Sequence, residues 1–168
     1  SPPAIFRKLV KIEYDGAEWE TVAELDLLED GGVDKIAASE DGSIVIVYLD
    51  DLQVIRTYDA ELQQIGVDKS LPSGIPIGGS LSITKNGQFL MFTSTFTVKV
   101  YQWLDGAWSF YKELTRPSDF PDDIAWGTSA GYAEDAKRIF VGAPGYDSDA
   151  VTDLGIVYSY PYNIETPP

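Results

Sequence analysis

The sequence predicts an all-β fold built from repeated four-stranded sheets, and three observations support this prediction. Short runs of β-branched and aromatic residues follow one another along the 168-residue chain, and helical periodicity is weak. Asp-Gly or Asn-Gly pairs separate these runs, as in tight hairpin turns, because Gly reaches positive φ without a Cβ clash. The turn-plus-strand units recur at a period of about 45 residues, which is typical of a β-propeller blade.

The inner half of each predicted unit is a strand, a tight turn and a second strand. Three copies can be aligned, at 36–47, 81–92 and 129–141. Their turns are centred on Asp41-Gly42, Asn86-Gly87 and Asp135-Ala136. The inner strands are apolar on both faces, which is typical of strands buried between stacked sheets.

The outer half of each unit is a second hairpin. Segments 10–19 and 98–108 both begin with Val-Lys, turn at Asp-Gly and reach a Trp, and they run on to Glu24-Leu25 and Glu113-Leu114. Segment 54–62 is a degenerate middle copy. Together the two halves predict blades of four antiparallel strands.

The predicted blades do not add up to a closed ring. In a single module of 1–168, segment 5–28 forms the outer strands of an incomplete blade, and blades follow at 31–72, 74–117 and 120–165. This makes about three to four blades, whereas propellers typically have about 4–8. The N-terminal strands could close a four-bladed ring, or a second copy or flanking sequence could supply the missing blades. A β-sandwich with similar strand spacing is the alternative fold.

The last blade contains Trp126-Gly127 and, after the turn, Val141-Gly142-Ala143-Pro144. This pattern resembles the FG-GAP repeat of integrin-α-like β-propellers, with Trp126-Gly127 at the family's Phe-Gly and Gly142-Ala143-Pro144 at its Gly-Ala-Pro. The other two units keep the glycine but carry 93–95 (Thr-Ser-Thr) and 48–50 (Tyr-Leu-Asp) in place of Gly-Ala-Pro. The resemblance implies a propeller with a structural, adhesive or interaction role.

Composition excludes several functional classes. The net charge is −15, so no nucleic-acid partner is expected, because phosphate binding needs a basic surface. The longest apolar run, 44–49, is far shorter than the roughly 20 residues of a membrane helix, so no membrane insertion is expected. The chain has no Cys and no His, which removes thiolate sites and Ser-His-Asp triads. No catalytic residue is predicted.

Calcium is the only cofactor for which the sequence suggests a site. Asp147, Asp149 and Asp153 alternate within the 145–155 loop, and calcium is bound by such carboxylate and carbonyl oxygens. The loop lacks the full Asp-x-Asp-x-Asp-Gly spacing, and the position of the integrin-type calcium loop, 133–138, is not a calcium loop. Acidity also suits a calcium-rich or salty medium outside the cell.

Aromatic residues supply the remaining candidates. Eight of them recur at equivalent strand positions and are expected to pack between blades: Trp19, Tyr58, Tyr101, Trp103, Trp108, Trp126, Tyr158 and Tyr160. Tyr146 and Tyr162 lie in loops and are candidates for contact with a glycan. The acidic pairs Asp50-Asp51 and Asp122-Asp123 are expected to be turn residues, because adjacent side chains in a strand point to opposite faces.

The predicted function is therefore that of a non-catalytic structural, adhesive or protein-interaction propeller module in an extracellular or surface assembly. Its expected partner is another protein or a second copy that completes the ring. The first alternative is a carbohydrate-binding, lectin-like propeller. The second is a hydrolase of glycans or phosphoesters, which would need two carboxyls facing each other across a cleft.

Overall fold

The structure is a computed structural model that describes residues 8–27, 32–71, 79–94, 97–118, 125–135, 137–146 and 155–161. These residues form thirteen strands in four antiparallel sheets and contain no helix, which confirms the all-β prediction. The strands are β1 (Lys8–Tyr14), β2 (Trp19–Asp26), β3 (Val33–Ala38), β4 (Ile44–Leu49), β5 (Val54–Asp59), β6 (Lys69–Ser70), β7 (Leu81–Ile83), β8 (Phe89–Thr93), β9 (Val98–Leu104), β10 (Ala107–Leu114), β11 (Ser129–Ala133), β12 (Arg138–Ala143) and β13 (Ile156–Pro161).

Each sheet is a simple meander in which consecutive strands pair. Sheet I is β1–β2, sheet II is β3–β6, sheet III is β7–β10 and sheet IV is β11–β13. The innermost strands lie side by side, β3 against β7 and β7 against β11. This radial stacking of antiparallel meanders, two of them with all four strands, is that of propeller blades, and the described strands do not form the two sheets of a β-sandwich.

Three apolar cores fill the spaces between successive sheets. The core between sheets I and II contains Leu9, Leu27, Val47, Leu49, Tyr58 and Leu62. The core between sheets II and III contains Ile46, Tyr48, Ile55, Leu71, Leu90, Phe92, Tyr101 and Trp108. The core between sheets III and IV contains Phe89, Met91, Val98, Val100, Leu114, Trp126, Ile139, Val141 and Ala143. Strands β4 and β8 contribute to a core on each side, so they are buried on both faces as predicted.

The turn between the first two strands of a blade is held by side-chain hydrogen bonds. In sheet II the Ser39 hydroxyl donates to Asp41 Oδ1 at 2.7 Å and accepts from the Ile44 amide at 3.0 Å. In sheet III the Thr84 hydroxyl donates to Asn86 Oδ1 at 2.9 Å and accepts from the Phe89 amide, also at 2.9 Å. A hydroxyl residue two positions before Asp or Asn therefore sets the register of both inner hairpins.

This turn predicts a specific acid sensitivity. Hydrogen bonds from the Ser39 hydroxyl and from the Ser43 amide and hydroxyl lower the pKa of Asp41 from 3.8 to about 2. Because the pKa is lower in the folded state, Asp41 stabilises the fold above pH 3.8, and this contribution is lost as the pH falls towards 2. We expect Asp41→Asn, which copies the natural Asn86, to unfold with a weaker dependence on pH in this range. Urea midpoints of both proteins across the range test this, and identical pH slopes would contradict it.

The outermost strand of sheet II is short. Strand β6 pairs with β5 only at Val54↔Ser70 and Ile55↔Lys69, after a wide loop. Arg56 clamps this loop by binding both carboxylate oxygens of Asp68, at 2.8 Å to Oδ2 and 3.0 Å to Oδ1. The degenerate middle copy of the outer hairpin therefore forms an isolated bridge at Tyr58↔Gln64, a loop and the two-residue β6 in place of a full fourth strand.

Candidate functional site

The first candidate surface is the outward side of sheet I. Its N-terminal face carries Val10, Ile12, Tyr14, Trp19 and Val22, all of them exposed. Thr21, Glu24, Asp26 and Lys8 stand on the same side, and Lys8 and Glu24 form an ion pair at the end far from the turn. Trp19 is 68% exposed, and its ring lies 5.3 Å from that of Tyr14. The opposite side of the hairpin packs into the core between sheets I and II. One side of this hairpin is therefore a core surface, and the other is an exposed surface that is apolar near the turn and charged at its far end.

The N-terminal face has a buried counterpart in sheet III. Tyr14 pairs with Trp19 across β1–β2, and Trp103 pairs with Trp108 across β9–β10. Both aromatic pairs stand next to the turn of their hairpin, with ring centroids 5.3 Å and 5.0 Å apart. Trp19 and Trp108 are therefore equivalent residues of two outer hairpins.

Two further features support this equivalence. At the far end of the hairpins, Leu9↔Leu25 corresponds to Val98↔Leu114, and all four side chains point towards the following sheet. Each hairpin also has a β-bulge at the same place, where the register skips Val22 in one and Tyr111 in the other. The match extends from the turn to the end of both strands.

The environments of the two tryptophans differ completely. Trp108 is 2% exposed, and its indole N–H donates to the Thr57 hydroxyl of sheet II at 2.8 Å. No described sheet stands in the same position in front of Trp19. The expectation that Trp19 packs between blades is therefore wrong in this structure, whereas it holds for Trp108, Trp126, Tyr58 and Tyr101, which are buried.

The second candidate surface is the outward side of sheet IV. Its C-terminal face consists of Arg138, Phe140, Val157, Ser159 and Pro161, which alternate with residues that pack towards sheet III. Val157 is 65% exposed and Phe140 is 41% exposed. The Arg138 guanidinium donates to the Ser159 hydroxyl at 3.2 Å. The stack of sheets thus ends in an exposed, largely apolar face on each side.

A polar cleft of about 290 Å³ lies where the inner strands of sheets II, III and IV converge. Lys85 Nζ binds Glu40 at 2.8 Å, and the Lys85 amide donates to the Glu134 carboxylate. The hydrogen bond and charge of Glu40, with the charges of Asp135 and Glu134, raise the pKa of Lys85. Lys85 thus links the inner turns of three sheets, through its ammonium to Glu40 of sheet II and through its backbone amide to Glu134 of sheet IV.

The two halves of the FG-GAP-like motif lie together. The Gly127 amide donates to the Gly142 carbonyl at 3.0 Å, so the start of β11 is joined to the end of β12. Gly127 has a φ of +91°, and a Cβ at this position would lie 2.6 Å from the Ser94 carbonyl oxygen. Trp126 is fully buried in the core between sheets III and IV. In this structure the motif joins two strands of sheet IV and packs them against sheet III.

Most of the ligand candidates lie outside the described residues. This applies to Tyr162, Asp147, Asp149 and Asp153, so the glycan and calcium hypotheses stay predictions. Tyr146 is described, and it is half-buried against the core between sheets III and IV. Elsewhere in the described chain, no group of three or more acidic side chains is arranged to hold a metal ion.

The acidic pairs are only partly described. Asp50 and Asp51 lie in the turn between β4 and β5, as predicted, where Asp50 accepts from the Gln53 side chain and Asp51 from the Gly32 amide. Asp122 and Asp123 fall outside the described ranges. The described residues include no helix capable of crossing a membrane.

Comparison with known proteins identifies the fold. No protein-family model and no curated protein matches the chain. Among solved structures, the complex of KlAtg21 with the coiled coil of AgAtg16 is similar at 14% identity and a TM-score of 0.55, over 86% of this chain and 44% of that one. A functionally unknown protein from Desulfotomaculum acetoxidans is similar at 15% identity and a TM-score of 0.57, over 92% of this chain and 48% of that one. TolB from Acinetobacter baumannii is similar at 15% identity and a TM-score of 0.50, over 94% of this chain and 35% of that one.

These likenesses show the fold alone, that of a β-propeller, and the residues that the structure describes do not form a closed ring. The chain spans less than half the length of each of the three structures.

Proposed function

We propose that this chain is a non-catalytic protein-interaction module that binds its partner through the exposed faces at the two ends of its stack of sheets. One observation carries the proposal: Trp19 is 68% exposed, whereas the equivalent Trp108 is 2% exposed and packs on a neighbouring sheet. Contiguous apolar surface of this kind marks interaction sites, and Trp is enriched among the residues that dominate binding energy.

Charge and chemistry support a binding role over a catalytic one. The chain has no His and no Cys. Asp15 and Asp41 have pKa values lowered by hydrogen bonds, the largest being from the Glu18 amide and the Ser39 hydroxyl respectively, which suits turn residues. A glycosidase acid needs the opposite shift. A propeller of similar fold, KlAtg21, is described in complex with a coiled coil, so this architecture supports protein binding elsewhere.

The finer features of the proposal rest on the FG-GAP resemblance and on acidity. Trp126-Gly127 and Gly142-Ala143-Pro144 favour a structural or adhesive module, and a net charge of −15 suits a location outside the cell or on a surface. Calcium at Asp147, Asp149 and Asp153 and a glycan at Tyr146 and Tyr162 are secondary proposals. A rise in melting temperature on adding Ca²⁺ tests the first, and glycan-array binding tests the second.

Site-specific photo-crosslinking tests the proposed function. We expect a photoreactive phenylalanine analogue at Trp19 or Val157 to give a defined protein adduct in the native host, because both side chains stand on the exposed end faces. Leu52 is 49% exposed but lies in the turn between β4 and β5, so the same probe there is the matched control.

Mass spectrometry identifies the adduct, and titration calorimetry with the purified protein so identified measures its affinity. Equal labelling from Leu52, or no protein adduct from either end face, would contradict the proposal.

A further inference from the structure

The C-terminal face occupies the same place in sheet IV as the face that receives Trp108 does in sheet II. In sheet II the Ser39 amide donates a hydrogen bond to the Ile44 carbonyl across the inner turn. In sheet IV Ala133 pairs with Arg138 across the inner turn, also five residues apart. Arg138 is therefore equivalent to Ile44. This fixes the alignment of the second and third strands of the two sheets.

This alignment identifies a hydroxyl in sheet IV that is equivalent to the Thr57 hydroxyl of sheet II. Phe140↔Ser159 in sheet IV is equivalent to Ile46↔Thr57 in sheet II. Val157, two residues before Ser159, takes the place of an isoleucine that is fully buried in sheet II. The exposed Ser159 hydroxyl thus stands where the Thr57 hydroxyl accepts the buried indole N–H of sheet III.

The two ends of the molecule are therefore the two halves of one interface. Sheet I exposes the side that, in sheet III, carries Trp108 into its neighbour. Sheet IV exposes the side that, in sheet II, receives it. Trp19 and Val157 are 68% and 65% exposed, so these halves do not cover each other within one chain.

We infer that the N-terminal face of one copy packs on the C-terminal face of a second copy. Trp19 lies against Phe140 and Val157, and its indole N–H donates to the Ser159 hydroxyl. This inference rests on the proposed function and names the partner as a second copy of this chain.

Two such contacts close a ring. Each copy has four sheets, of two, four, four and three described strands, so two copies place eight sheets around the ring, a number at the upper end of the range of about 4–8 blades found in propellers. The chain also covers 44% and 48% of two solved structures of similar fold, close to half of each. Different faces meet in each contact, and a two-fold axis repeats the contact once, so both end faces of each copy are covered.

The charge distribution predicts how salt affects this assembly. Each copy carries −15, so two copies repel at low ionic strength. The C-terminal face adds no negative charge to this repulsion, because Arg138 is the only charged residue in strands β11–β13. We therefore expect dimerisation to strengthen with salt.

Sedimentation velocity over a wide dilution series tests the inference. We expect the wild-type protein to convert from a species of 18.5 kDa to one of twice that mass, at lower concentration when salt is added. Trp19→Ser and Val157→Glu are each expected to weaken dimerisation about 30-fold or more, as removal of a central anchor does. Leu52→Ser, an exposed apolar residue away from both faces, is expected to dimerise as wild type.

Mixing the two face variants gives a sharper test. The Trp19→Ser copy keeps an intact C-terminal face, and the Val157→Glu copy keeps an intact N-terminal face. One contact in the mixed pair is therefore intact, and native mass spectrometry should detect the heterodimer under conditions where each variant alone is monomeric. A contact between identical faces would not be rescued in this way. Far-UV circular dichroism and melting temperature verify that both variants fold.

Two results would overturn the inference: a wild-type protein that stays at 18.5 kDa at every concentration and salt, or a dimer insensitive to both face variants. If the protein stays monomeric but Trp19 crosslinks to a different protein, the inference fails and the proposed function stands. If neither self-association nor a specific adduct is found, both fail.

Discussion

Replacing Trp108 with alanine is expected to lower the free energy of unfolding by about 3–5 kcal/mol. The indole is 2% exposed between sheets II and III, and its N–H is bonded to Thr57 at 2.8 Å. Truncation leaves a large cavity and removes the partner of a buried hydroxyl, so the two losses add. Urea unfolding, monitored by the far-UV circular dichroism of the strands, measures the change.

Trp19→Ala is the matched control, because Trp19 holds the equivalent position in the other outer hairpin. It is 68% exposed, so the expected loss in the monomer is less than about 1 kcal/mol. Equal losses of unfolding free energy for the two variants, at a concentration where the protein is monomeric, would contradict the account that Trp108 is covered by a neighbouring sheet and Trp19 is not.

Gly66→Ala is the second change with a large expected effect, a loss of about 2–5 kcal/mol. Gly66 has a φ of +67°, and a Cβ there would lie 2.0 Å from the Gly106 carbonyl oxygen and 2.6 Å from the Trp103 ring. The Val67 amide bonds the same carbonyl at 3.1 Å, so the loop of sheet II cannot move away without losing a contact to sheet III. Thermal and urea unfolding measure the loss.

Gly42→Ala separates backbone strain from this clash. Gly42 has a φ of +70°, nearly that of Gly66, but a Cβ there meets nothing within 4 Å. Only the cost of the left-handed conformation remains, about 1–2 kcal/mol. If Gly42→Ala were as damaging as Gly66→Ala, the close approach of sheets II and III at Gly66 would be excluded as the cause.

The strand order of this protein could be predicted because its tight turns are encoded by short local sequence signals. Asp41-Gly42 and Asn86-Gly87 lie between apolar strands that are buried on both faces, and both glycines have a φ of +70° as such turns require. The supporting hydroxyls were missed, although the signal is visible: Ser39 and Thr84 each stand two residues before the Asp or Asn.

Features that depend on distant parts of the chain could not be predicted. The shared Val-Lys suggests that Val10 is equivalent to Val98, but in the structure Leu9 takes that place, because segment 10–19 is one residue shorter than segment 98–108 and the two hairpins align at their aromatic pairs. The exposure of Trp19 follows from which sheet stands in front of it, which no local pattern encodes. The link from Lys85 to Glu40 and Glu134 likewise joins three blades far apart in sequence.

Hydroxyl-radical footprinting of the tryptophans, read by mass spectrometry across a dilution series, tests the central claim most directly. In the dilute monomer, Trp19 should be oxidised rapidly while Trp108 and Trp126 stay protected, in keeping with exposures of 68%, 2% and 0%. As concentration and salt rise, Trp19 should become protected while the other two do not change. Protection of Trp19 in the dilute monomer, or rapid oxidation of Trp108 in the folded protein, would contradict the account of one interface with its two halves open at opposite ends.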